Sequence, residues 1–81
     1  MTTLKYLMER EQNLVDRKQE NFDDRVQILY RLDEDFKMSD DERNKFEEAV
    51  RASDSYEKAL DTELKQVRAS MKRYILKLLE L

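Results

Sequence analysis

The sequence predicts an all-α protein: a two-helix antiparallel hairpin of coiled-coil type, turning near Ser39 and suited to forming a larger bundle by association. Three observations predict it. Apolar residues recur at every seventh position through both halves of the 81-residue chain, the period of long, slightly supercoiled helices rather than strands. Gly and Pro are both absent, so the residues that set tight turns between strands are missing throughout. Helical patterning breaks once, at Lys37-Met38-Ser39-Asp40-Asp41-Glu42.

The first helix is expected over about residues 3–37, where Met1, Met8, Val15, Phe22, Leu29 and Phe36 stand seven apart, flanked by Leu4, Leu7, Leu14, Val26 and Leu32. A turn follows at 38–40. Ser39 and Glu42 have the spacing of a capping box, in which the serine oxygen accepts from an orphan backbone N–H while the glutamate reaches back. Asp40, Asp41 and Glu42 then fill the first turn of the second helix, where the helix dipole favours acids. That helix, expected over about 40–79, spans about 60 Å at 1.5 Å per residue. Val50, Leu64, Met71 and Leu78 share one of its heptad positions, and Phe46, Leu60, Val67, Tyr74 and Leu81 share the companion position. Short connections make antiparallel neighbours, so residues 1–81 read as a single hairpin domain.

Folding the chain at Ser39 pairs positions whose numbers sum to about 79. Leu29 is then expected to meet Val50, Val15 to meet Leu64, and Met8 to meet Met71. Glu11, Lys18, Arg25, Ser53 and Glu57 interrupt the companion positions and leave Phe22 to lean on Tyr56. Two readings of this stretch stand open. Either the long polar side chains snorkel out of a water-accessible seam, or a partner helix covers it.

The residues that are missing exclude much chemistry. Without Gly there is no phosphate-cradling loop and no nucleophile elbow. With no Cys and no His there is no disulfide, no zinc site of the usual ligands and no Ser–His or Cys–His pair. Paired acids such as Asp23-Asp24 and Glu47-Glu48 need a dry cleft before they can do acid–base work, and a two-helix rod has none. A calcium loop beginning at Asp33 fails, with Lys37 at a ligand position and Met38 where glycine is required. No enzyme activity, metal, cofactor or small-molecule substrate is expected.

The formal charge of −3 argues against nucleic-acid binding. No apolar run approaches the roughly 20 residues of a membrane span. Met1-Thr2-Thr3-Leu4-Lys5 lacks a signal-peptide pattern, so a cytoplasmic chain is expected, or one exported by a signal-independent machine. Charge is unevenly placed. Between Asp33 and Glu48 eight acids face three bases, a net −5, while five bases and no acid lie between Lys65 and Lys77. Dipole complementarity accounts for the second helix. It does not account for Asp33-Glu34-Asp35, at the wrong end of the first helix, and an acidic tip with a basic tail also suits head-to-tail stacking or a polarised partner.

Apolar excess collects at the open end, where Leu4, Tyr6, Leu7 and Met8 approach Tyr74, Ile75, Leu76, Leu78, Leu79 and Leu81. A helix that is apolar nearly all round expects to be covered. Leu4, Leu7, Met8, Tyr74, Ile75, Leu78 and Leu79 are therefore the candidate binding residues for a protein partner or a second copy of the chain.

An all-helical hairpin of this length, with Ser39-Asp40 at the inter-helix turn, resembles the needle subunits of bacterial type III secretion systems. Phe46, Tyr56, Tyr74, Ile75 and Leu78 fall in roughly matching places, while Met38 and Asp41 stand where that family has prolines. In size and two-helix architecture the chain is also similar to the helical-hairpin co-chaperones that hold needle subunits unpolymerised. The first resemblance implies a self-assembling structural subunit. The second implies a co-chaperone or adaptor that offers an apolar face to its partner.

Overall fold

A computed structural model describes residues 3–34 and 37–80, which contain two helices, α1 (Thr3–Glu34) and α2 (Asp40–Leu79). They pack along one another into an antiparallel hairpin of 65 × 17 × 15 Å. The expected positions Met1, Asp35, Phe36 and Leu81 lie outside the described residues.

Local chemistry explains both elements. Within α1, Gln12 donates to Asp16 at 2.8 Å and Gln19 to Asp23 at 2.9 Å, each one turn along. The helix was expected to run to Lys37, but Lys37 lies in a turn. Asp33 and Glu34 put negative charge against the negative end of the α1 dipole, which does not favour a longer helix. At the start of α2, Ser39 has extended backbone (φ −67°, ψ 160°), and its hydroxyl accepts from the Glu42 N–H at 3.2 Å. Asp40, Asp41 and Glu42 occupy the first turn and Lys77 the last, both with the sign the dipole favours. Across the turn, Arg43 donates to the Leu32 carbonyl at 3.4 Å. The last turn of α1 is thereby tied to the first turns of α2.

The seam follows strict heptads. In α1 the a positions Leu4, Glu11, Lys18, Arg25 and Leu32 and the d positions Leu7, Leu14, Asn21 and Ile28 are all buried or half-buried. In α2 the matching residues are Phe46, Val50, Ser53, Glu57, Leu60, Leu64, Val67, Met71 and Tyr74, the stripe expected from the sequence except at Leu78, which is exposed. Leu14, Leu60 and Leu64 form the buried core, with Val67 packed against them.

The expected α1 stripe is displaced by one residue. Met8, Val15, Phe22 and Leu29 lie outside the seam and are 54, 37, 46 and 45% exposed. Leu14, not Val15, packs with Leu64. A step of one residue turns a helix by about 100°, enough to move a whole column from seam to flank. Leu29 and Val50 line one cleft, as expected, beside Leu32, Glu47 and Arg51. Phe22 and Tyr56 line different clefts, so Phe22 does not lean on Tyr56; the Arg25 guanidinium sits over its ring instead, 5.6 Å from the centroid.

Candidate interaction surfaces

The polar stretch of the seam is built from pairs that cross between the helices. Arg68 Nε lies 2.9 Å from Glu11 Oε2, Lys18 Nζ 2.7 Å from Asp61 Oδ1, and Arg10 Nη2 2.6 Å from Glu63 Oε2. At the centre, Arg25 Nη1 approaches Glu57 Oε2 to 2.9 Å with side chains only 14 and 22% exposed. No well-directed hydrogen bond forms at Arg25 Nη1, so the attraction there is Coulombic. Neither reading open at the sequence level describes this stretch fully. The side chains reach across to partners on the other helix, so the seam supplies its own counter-charges.

The candidate binding residues separate into three groups. Leu4, Leu7 and Tyr74 are half-buried along the seam. Met8 stands on the α1 flank with Val15, Phe22 and Leu29. Ile75, Leu78 and Leu79 are exposed with Leu76 on the last turns of α2, Leu79 at 77%. Thr3 lines one groove with Ser70, Arg73, Tyr74 and Lys77, so the first described turn of α1 lies beside Tyr74 and Lys77. Leu78 and Leu79 follow that groove at the end of α2.

Near that end Tyr6, Leu7, Arg73, Tyr74 and Lys77 share a shallow groove, in which Arg73 donates to Ser70 at 3.3 Å. Lys65, Arg68, Lys72, Arg73 and Lys77 make this end basic, and the acids between Asp33 and Glu48 make the turn end acidic. Among the described residues no group of His, Cys, Asp and Glu is placed to hold a metal ion. No described helix is long and apolar enough to cross a membrane.

The α1 flank was missed at the sequence level. Its sevenfold repeat is plain in the sequence, but an apolar column of that regularity reads as the seam itself. The companion signal lay in the charges at Glu11, Lys18 and Arg25, whose counter-charges Arg68, Asp61 and Glu57 follow in reverse order in the second half, seven and four residues apart. No protein-family model, no curated protein and no solved structure matches the chain.

Proposed function

We propose that this chain is a non-enzymatic protein–protein interaction module, a small secretion co-chaperone or adaptor that docks its partner on the apolar end of α2. One observation carries the reading: Ile75, Leu76, Leu78 and Leu79 are exposed together at the end of α2, outside the seam it shares with α1. Four large apolar side chains on two turns form a patch that soluble chains ordinarily cover. Lys72, Arg73 and Lys77 lie beside the patch in sequence and suit a partner with an acidic rim. The similarity to type III secretion co-chaperones supplies the cellular setting.

Purification with the native partner, identification of that partner and titration of the two purified chains test the reading. Ile75→Glu with Leu79→Glu is expected to remove binding and leave the helical circular-dichroism signal in place. Unchanged affinity in that variant means the surface is wrongly assigned. The capped Ser39-Asp40 turn favours a second reading, a self-assembling subunit of needle type. Filaments of the purified chain under the electron microscope would establish it in place of the first.

A further inference from the structure

We propose that the α1 flank carrying Met8, Val15, Phe22 and Leu29 is a self-association surface. Two copies pair there antiparallel, α1 against α1, and close into a four-helix dimer. This surface is separate from the partner patch on α2.

The two flanks of α1 differ in kind. On one side of the seam the column is Met8, Val15, Phe22, Leu29, apolar at every described position and left exposed. The column on the other side reads Arg10, Arg17, Asp24, Arg31. A hairpin needing only its own seam has no use for the first column, which runs about 31 Å at 1.5 Å per residue. The hairpin's own core is also thin, with three buried side chains among the described residues. Helix bundles of this type bury a second apolar face against further helices.

Three features identify the occupant as a second copy. The column is symmetric about its midpoint, so an antiparallel two-fold sets Met8 opposite Leu29 of the second copy and Val15 opposite Phe22 of the second copy. A two-fold interface must be self-complementary in this way. Charge selects the same orientation. Antiparallel pairing lays the acidic turn end, with Glu47 in the cleft beside Leu29, along the basic Lys65–Lys77 end of the second copy. Parallel pairing would set acid against acid and base against base. Exposed area is sufficient. The chain exposes 6652 Å², against about 5,200 Å² for a compact chain of this mass. That surplus is nearly twice the roughly 800 Å² each partner buries in a standard interface, so the chain has area to spare for one.

Counter-charges already in place limit the desolvation cost in the cleft beside Val15 and Phe22. Lys18 and Glu57 line the cleft beside Val15 and Phe22, and each already has its counter-charge within the hairpin, Asp61 and Arg25. No lone charge in the floor of that cleft would be buried by the second copy.

Sedimentation equilibrium over a concentration series tests the proposal. Wild-type chain is expected at twice its 9.9 kDa mass, with association weakened by added salt. Val15→Glu with Phe22→Glu is expected to raise the dissociation constant about 100-fold or more, while Ile75→Glu with Leu79→Glu leaves the dimer in place. A milder pair of variants fixes the geometry without introducing charge. Chains bearing Val15→Cys alone or Phe22→Cys alone should not crosslink with themselves, and a mixture of the two should crosslink efficiently. A wild-type monomer at millimolar concentration overturns the proposal. So does self-crosslinking of either single variant, which marks a parallel pairing, or a dimer lost only in the α2 variant, which moves association to the open end.

Discussion

Asn21 and Ser53 grip one another across the middle of the hairpin. Asn21 Nδ2 donates to the Ser53 carbonyl at 2.9 Å, and Ser53 Oγ donates to Asn21 Oδ1 at 3.0 Å. Both occupy seam positions, so one polar layer interrupts the apolar core at the point where α1 and α2 must be level. Polar layers of this kind cost stability and specify register. Asn21→Ala is expected to cost about 1–2 kcal/mol in chemical denaturation. Asn21→Leu with Ser53→Ala should regain that loss and loosen the register instead, seen as disulfide formation between Cys pairs one heptad out of step. A single register in the apolar variant would show that the layer serves stability alone.

Ser39 is the cap on which the turn depends. Its hydroxyl accepts from the Glu42 N–H, so Ser39→Ala is expected to lower stability by about 0.5–2 kcal/mol. The denaturation midpoint reads this directly, and an unmoved midpoint would remove the cap from the account of the turn.

The ion pairs are unequal, and their ranking can be measured. Arg25–Glu57 is the least exposed of them, so Glu57→Ala, which strands a half-buried guanidinium, should cost about 2–3 kcal/mol. Exposed Asp54–Lys58, at 3.2 Å within one helix, should contribute no more than about 0.5 kcal/mol. Arg25→Leu with Glu57→Leu is expected to be neutral or stabilising, because the desolvation of both charges disappears together. Equal losses at the two pairs would contradict this ranking.

The last turns of α2 carry the prediction on partner binding. Ile75→Glu with Leu79→Glu changes side chains that are exposed in the hairpin, so thermal stability should shift by less than about 1 kcal/mol. Partner affinity should fall steeply in the same variant, with roughly 1.5–3 kcal/mol at stake for each apolar side chain that is fully covered. Calorimetric titration against thermal melting separates these two quantities. A large loss of stability would show that the two residues serve the hairpin itself.

Much of the architecture is legible in the sequence because it is decided within a turn or two of chain. Ser39 and Glu42 bond three residues apart, and the acids after Ser39 act on the helix end beside them. The α2 stripe was readable for a related reason. Seven of its nine seam residues are apolar, and only Ser53 and Glu57 depart from the pattern. In α1 the seam holds Glu11, Lys18, Asn21 and Arg25 among five apolar residues, while an unbroken apolar column lies one step round the helix. Hydrophobicity alone points to the wrong face there.

The sequence by itself determined that there are two helices, where α2 begins, and which face of α2 turns inward. These follow from propensity, capping and period, all local to one stretch of chain. Only the tertiary structure decided which face of α1 turns inward. That choice rests on Arg68, Asp61 and Glu57, which meet Glu11, Lys18 and Arg25 across the hairpin and make a charged column acceptable in the seam. Each pair joins residues more than thirty positions apart, so its energy exists only once the chain has folded back. The apolar column that lost the competition, from Met8 to Leu29, remains on the surface as the face a second copy would fill.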